Sequence, residues 1–293
     1  NGQEYLDNYT LKIEKTRDLA STRGNIYDKN GKLLAYNELA YAITLEDNGV
    51  YNSRAERNKA LNKELYRLLK VLDKNKDQIR NDFYISYSER DGYQYTVSGT
   101  TLKRFLADIY DHKSTDDLKY NKTLGYNEAE ATPEQVMEYL SSDKRYGISD
   151  KYSAYNRYRI LVLRYAIAQN SYQKFVLTVL ATGVSDETVA WVSENSDTLQ
   201  GMSVNEETVR KYNDSKYFAH IIGYTGQISV DEYKELSKKD KSYSLTDVVG
   251  KSGIEQVMDK ELQGEKGYEK ISVDNLGKVV DVIKRKEPTA GND

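Results

Sequence analysis

The sequence predicts an α+β fold: a small antiparallel anchor sheet built by the N- and C-terminal segments, with a large, mainly helical head inserted between them. Three observations carry that prediction. Near the start, Asn30-Gly31, the strongest kind of short hairpin turn, separates Asn25-Ile26-Tyr27 from Leu33-Leu34-Ala35. Near the end, two alternating runs flank Asp274-Asn275-Leu276-Gly277 and read as a second hairpin. Between them, from residue 54, apolar residues recur at helical spacing. The two ends are therefore expected to pair in one sheet, with residues 1–48 and 231–293 forming the base and residues 49–230 the head.

In chain order, residues 4–19 set Tyr5, Leu6, Tyr9, Ile13 and Leu19 among charges, the pattern of an amphipathic helix. The hairpin follows, and residues 41–45 continue as strand. After Asn48-Gly49 the character changes: residues 54–72 place Ala60, Leu61, Leu65, Leu68, Leu69 and Leu72 on one helical face. Further helices are expected over residues 101–110, over 132–140 with Thr132 as N-cap and Pro133 at the first helical position, and over 185–195 with Ser185 as cap. Residues 158–170 are apolar and fit strand or helix, with helix favoured for the first part. Residues 174–181 are β-rich, and 201–210 and 220–226 resemble short returning strands. Residues 249–267 then combine a glycine turn at Gly250 and Gly253, a short helix carrying Ile254, Val257, Met258 and Leu262, and a stop at Gly264 and Gly267.

Composition narrows the function classes. At 293 residues with 38% hydrophobic and 30% charged residues, the chain can bury a core beneath a large solvated surface. A net charge of -3 with mixed signs gives no basic stripe for nucleic acid. The sequence has no apolar run of about eighteen residues, the length a membrane-spanning helix needs. The absence of cysteine fits both oxidising and reducing compartments.

Several constellations invite a chemical reading. Ser171-Tyr172-Gln173-Lys174, Ser193-Glu194-Asn195 and Lys251-Ser252-Gly253 follow the order of the active-site serine signature, in which a lysine draws off the serine proton. The first two stand too close together to admit the helical domain that separates them in such enzymes, and Ser141-Ser142-Asp143-Lys144 repeats the first pattern by chance. Asp73, Asn75 and Asp77 start like a calcium loop, but position six is Gln78 and position twelve Tyr84, so a solvated helix end is the expectation. His112 and His220 lack metal-ligand spacing, and His220 is expected to bond a backbone group near Gly223.

The motif residues carry a resemblance. Arg23-Gly24-Asn25-Ile26-Tyr27-Asp28-Lys29-Asn30-Gly31 resembles the Arg-Gly-x-Ile-x-Asp-Arg-x-Gly motif that opens the extracytoplasmic part of class B penicillin-binding proteins, the monofunctional peptidoglycan transpeptidases. Arg210-Lys211-Tyr212 followed by Ala219-His220-Ile221-Ile222-Gly223-Tyr224 is similar to that family's Arg-x-Tyr and His-x-x-Gly-Tyr segment. Residues 249–267 are similar to its Gly-x-x-Gly-x-Glu segment, with Leu262 and Gly264 behind. Lys29 and Asn213 depart from the usual Arg and Pro, and the central region is longer and more helical than the pattern.

The resemblance covers the non-catalytic half of such a protein. It implies an elongation-type pedestal, or dimerisation, domain on the extracytoplasmic face of the membrane. A transmembrane helix would precede a segment like residues 1–20, and a stretch like residues 288–293 would lead into the transpeptidase domain. It also implies a motif set of Arg23, Gly24, Asp28, Gly31, Arg210, His220, Gly223, Tyr224, Gly250, Gly253, Glu255, Gly264 and Gly267, with no catalytic residue, cofactor or metal. Implied partners are a membrane-embedded glycan polymerase and other elongation-complex proteins, with peptidoglycan and a second copy of the chain as further contacts. A free-standing peptidoglycan-binding module and a compact serine acyltransferase are the competing readings.

Two physical expectations accompany that set. Arg23, Asp28, Arg210 and Glu255 all neighbour glycines or strand ends, so distant segments should meet there in one ion cluster, which bidentate arginine pairing would orient. The 27 tyrosines, among them Tyr84, Tyr87, Tyr93, Tyr95, Tyr146, Tyr152, Tyr155 and Tyr158, fit either an interaction or glycan platform or a core with wet rims.

Overall fold

In a computed structural model the chain divides into two compact units, an outer one made of Asn1–Tyr41 with Glu206–Asp293 and an inserted one, Ala42–Asn205. The structure describes residues 13–47, 49–169, 177–244, 247–273 and 279–293. The outer unit begins with β1 (Ile13–Leu19), where the sequence suggests the end of a helix. The run pairs along its whole length with a C-terminal strand, Ile13 opposite Val273 and Leu19 opposite Gly267. Ladder hydrogen bonds thus satisfy the backbone that a helix would have satisfied internally. Residues 4–12 of the expected helix lie outside the described residues.

Next come β2 (Ile26–Tyr27) and β3 (Leu33–Leu45), the hairpin that Asn30-Gly31 predicts. It does not join β1. β3 pairs first with β2 and, past residue 41, with a strand of the inserted unit. The single terminal sheet expected from sequence is therefore two separate ladders.

The inserted unit is built on α1 (Arg54–Asn75). Ser53 caps its start by accepting from the Glu56 amide, and Lys76 closes it in the left-handed region. Leu61, Leu65, Leu68, Leu69 and Leu72 are sealed at 0–1% exposure, so the periodic stripe read from the sequence is the core. A hairpin of β4 (Ile85–Ser88) and β5 (Gly92–Tyr95) follows, which sequence reading missed although Asp91-Gly92 marks its turn. Then come α2 (Gly99–Ile109), a minimal hairpin of β6 (Tyr120–Asn121) and β7 (Tyr126–Asn127), and α3 (Pro133–Ser141). Thr132 and Gln135 form a reciprocal capping box at the start of α3.

The ambiguous apolar stretch is α4 (Ala154–Gln169), buried without a break from Tyr158 to Arg164 because it lies against both α1 and α3. A helix covered on all sides loses the periodic signature that would identify it. Its Arg164 is buried and donates to Asn58 Oδ1 and Asn62 Oδ1, one turn apart on α1. The unit closes with β8 (Thr178–Thr182), α5 (Asp186–Glu194) after Ser185, and β9 (Met202–Tyr212), which pairs with β3.

Back in the outer unit, α6 (Ser215–Ile222) occupies part of the stretch expected to be strand. Asp214 in the left-handed region starts this helix and Gly223, at φ 81°, ends it; strand resumes only at β10 (Thr225–Gln227). The unforeseen α7 (Val230–Lys239) starts at a Ser229/Glu232 capping box, a signal visible in the sequence. β11 (Val248–Gly250) pairs with β10. The helix expected over residues 249–267 is split into α8 (Gly253–Val257) and α9 (Asp259–Leu262). Val257 and Met258 stand 78% and 42% exposed while Leu262 is buried and Ile254 packs beside it, so only the two ends of the expected apolar stripe face inward.

β12 (Gly267–Val273) and β13 (Val279–Lys286) form the C-terminal hairpin, with β12 central between β1 and β13. Its turn, residues 274–277, lies outside the described residues. Apolar packing in this unit is modest: one cluster of Ile26, Leu34, Ala35, Ile222 and Leu262, and a second of Ile228, Tyr243 and Val249. Among the described residues no helix is long and apolar enough to cross a membrane.

Candidate functional site

Alongside Leu262, the side chains that α8 and α9 bury are acids. Glu255 and Asp259 sit four residues apart, one turn of helix, and are 0% and 7% exposed. Burying two carboxylates is unfavourable unless cations and hydrogen bonds meet them. Two arginines do so. Arg23, from the segment between β1 and β2, donates Nε to Glu255 Oε2 at 2.6 Å, Nη1 to Asp259 Oδ1 at 2.8 Å and Nη2 to the Glu255 carbonyl at 2.7 Å. Arg210, from β9, donates Nε to Glu255 Oε1 at 2.8 Å and Nη1 to the Gly24 carbonyl at 2.7 Å.

The quartet is charge-balanced and further satisfied by neutral groups. Asp259 Oδ1 also accepts from the Gly250 amide, and Oδ2 from the Tyr243 hydroxyl, each at 2.8 Å. Burial and that carboxylate hold the Tyr243 hydroxyl well above the ordinary tyrosine range. Asn37 ties in the backbone, donating to the Arg23 carbonyl. Residues 23, 37, 210, 250, 255 and 259, from four stretches of sequence, thus meet in one hub. Such pairing fixes direction as well as energy, because a guanidinium fork accepts only a narrow range of carboxylate orientations.

The motif glycines let backbones approach the hub. A Cβ on Gly250 would lie 1.9 Å from the Glu255 carbonyl oxygen, so any side chain there would push α8 away. One on Gly223 would lie 1.8 Å from the Ser252 carbonyl oxygen, which fixes the end of α6 against α8. Gly253 lies on the other side of that contact, and Gly24, Gly264 and Gly267 sit against backbone of residues 286–292.

Other predicted motif residues stay outside the hub. Asp28 accepts from the Lys32 and Asn30 amides at 2.8 Å, which holds its carboxyl below the usual range, and Gly31 completes that turn at φ 78°. Asp28 organises the β2–β3 turn and joins no arginine. His220 is exposed in the last turn of α6, and among the described residues its side chain makes no bond to the backbone near Gly223, where one was expected. Tyr224 is exposed, with its carbonyl accepting from the Lys251 amide. Sequence reading missed Asp259, Tyr243 and Asn37. Asp259 was recoverable, since Glu255-x-x-x-Asp259 puts two acids on one helical face.

The serine motifs are otherwise occupied. Ser193 donates to the Val189 carbonyl within its own helix, Ser142 donates to the Tyr139 carbonyl, and the Lys251 amine pairs with Glu232. Ser171 lies outside the described residues. Asp73, Asn75 and Asp77 at the end of α1 are tied to the protein, although Asp73 remains exposed: Asp73 receives the Arg159 fork, Asp77 accepts from Ser185 and Thr188, and Asn75 donates to Thr188. Among the described residues no group of three or more His, Cys, Asp or Glu could hold a metal ion.

The tyrosines act chiefly as packing. Tyr87 and Tyr93 are a directly opposed cross-strand pair, with ring centroids 4.9 Å apart, and fasten the β4–β5 hairpin to Tyr155 and Tyr158 of α4. Tyr152 meets Tyr66, Tyr84 meets Phe105, Tyr146 lies under Arg164, and the Tyr95 hydroxyl donates to the Ala131 carbonyl.

Residues 18–293 match the family described as the penicillin-binding protein dimerisation domain. The peptidoglycan D,D-transpeptidase MrdA of Salmonella typhimurium is 31% identical over 126 residues, 42% of this chain and 20% of that protein. Penicillin-binding protein 2A of Bacillus subtilis is 24% identical over the whole chain and 38% of its own length. The chain therefore spans well under half of these relatives. The solved structure of penicillin-binding protein 2B from Streptococcus pneumoniae superposes with a TM-score of 0.53 at 21% identity, over 96% of this chain and 40% of that one, which is a likeness of fold.

Proposed function

The chain belongs to the penicillin-binding protein dimerisation domain family, and from that premise we propose that it is the non-catalytic pedestal of an elongation-type peptidoglycan transpeptidase. In this reading it stands on the extracytoplasmic face of the membrane, positions the catalytic domain of a longer D,D-transpeptidase and docks a membrane-embedded glycan polymerase with other elongation-complex proteins. The base is assigned to residues 1–48 and 231–293 and the head, the docking part, to residues 49–230. The relatives named MrdA support the elongation assignment.

One observation carries the reading. The three motif segments spend their charged residues on each other: Arg23, Arg210, Glu255 and Asp259 neutralise one another inside the outer unit. Groups so engaged set orientation and are unavailable for bond making, which suits a part whose task is to hold others in place.

Co-purification tests it. The full-length parent is expected to recover the glycan polymerase from detergent extracts, and substitutions on the exposed face of the helix beginning at Arg54 are expected to reduce that recovery. Undiminished recovery would count against docking through the head. Labelling of this chain by a fluorescent penicillin would favour the acyltransferase reading. Sedimentation with purified sacculi in the absence of any protein partner would favour a peptidoglycan-binding module.

A further inference from the structure

α6 is a helix with little to pack against. Of its described side chains only Ile222 is buried, while Tyr217, Phe218 and Ile221 stand exposed, as does Tyr224 just past its end. An eight-residue helix does not hold by itself and draws its stability from the face it buries, yet here the larger apolar face is open. That face continues onto α8: a Cβ on Gly253 would lie 2.3 Å from the Ile221 carbonyl oxygen, and the exposed Val257 and Met258 stand about one turn further along. The six side chains leave on the order of 600 Å² of apolar surface uncovered, the upper end of what a monomer presents in one patch.

Size and position identify the occupant. Separate molecules that associate stably bury about 800 Å² each, so this face is small for a free partner; a tethered one, at an effective concentration of about millimolar, needs less. Residues 292 and 293 are fastened at α9 and at the segment before β2: the Asn292 amide donates to the Glu261 carbonyl at 2.9 Å, and Asp293 Oδ1 accepts from the Asn25 amide at 2.7 Å. Glu261 lies within a turn of Met258, whose carbonyl accepts from the Leu262 amide. A domain following residue 293 would therefore start beside the open face.

We propose that this face of α6 and α8 seats the catalytic domain that follows residue 293 in the longer parent. The proposal rests on the pedestal reading and supplies its contact: apolar side chains of that domain cover Ile221, Val257 and their neighbours, held there by direct chain connection.

Hydrogen exchange in the full-length parent and in this chain tests it. Amides of α6 should exchange about tenfold more slowly in the parent. The double variant Ile221→Lys/Val257→Lys should lose that difference in the parent, while the same pair in this chain, where both side chains already face water, should leave the circular-dichroism melt unchanged. A lowered melt would make the two side chains part of this chain's own packing and overturn the proposal. Equal exchange in parent and chain, or protection that survives the double variant, overturns it too. So does protection that arises in this chain alone as its concentration rises, which assigns the face to a second copy, or on adding phosphatidylglycerol vesicles, which assigns it to lipid. Labelling by fluorescent penicillin keeps the two readings apart: a labelled parent with unprotected α6 defeats this proposal alone, and an unlabelled parent defeats the pedestal reading with it.

Discussion

In the inserted unit the best-buried side chains of the central helix are five leucines; in the outer unit, the best-buried side chain of the helix at the motif hub is a glutamate. The first arrangement gains stability from apolar area removed from water and tolerates changes that conserve volume and patterning. The second gains little net energy, because desolvation offsets most of the Coulombic attraction, yet removing one member strands the others. Arg164 makes the contrast sharper, since this buried guanidinium of the inserted unit is clamped by two neutral asparagines where the hub sets arginine against carboxylate. The helix at the motif hub is held by arginine–carboxylate pairs, and the central helix of the inserted unit by leucine packing.

The largest effect should come from Glu255→Ala, which strips Arg210 of its carboxylate and leaves Asp259 alone to balance two buried arginines. Loss of about 3–5 kcal/mol is expected in urea unfolding followed by circular dichroism. Trp191 belongs to the inserted unit, so its fluorescence transition should hardly move; a shift of both together would break the comparison. Leu65→Ala is the mirror test, expected to cost about 2–5 kcal/mol and to move the fluorescence transition.

Smaller effects sharpen the same division. Gly250→Ala drives a methyl group into the Glu255 carbonyl and should cost about 1–3 kcal/mol by circular dichroism, although it removes no charge. Thr132→Ala removes half of a capping box in the inserted unit and should cost about 1 kcal/mol in the fluorescence transition. The smallest effect is pH-dependent. Burial raises the Glu64 carboxyl above its ordinary range, with the Gln200 amide opposing. The folded state then binds the proton more tightly than the unfolded state, so stability falls as pH rises from the unfolded carboxyl value through the folded one. Glu64→Gln should therefore be slightly more stable than the parent at neutral pH, and the advantage should fade in acid.

Legibility from sequence follows the same line. α1 and α3 were readable because a leucine stripe and a Thr132-Pro133 start are local signals. α4 was ambiguous because burial on all sides erases periodicity. Residues 253–262 misled, since Val257 and Met258 of the apparent stripe are exposed while Glu255 and Asp259 are buried with Leu262. Long-range charge pairing has no period; the position of Arg23, Arg210 and Glu255 beside glycines or strand ends pointed to one cluster, and the same reasoning wrongly included Asp28. β1 was misread for a related reason: its strand state depends on a partner more than 240 residues away.

The chain passes between its two units inside strands rather than loops, at residues 41–42 and 205–206. On the inserted side the two passages lie close, with Thr44 Oγ1 and Ser203 Oγ 3.0 Å apart. On the outer side Glu38 and Lys211 pair at 3.2 Å. A cassette with neighbouring ends can be lengthened, shortened or exchanged without re-threading its host, so the inserted unit is free to change while the ladders of the outer unit keep their register.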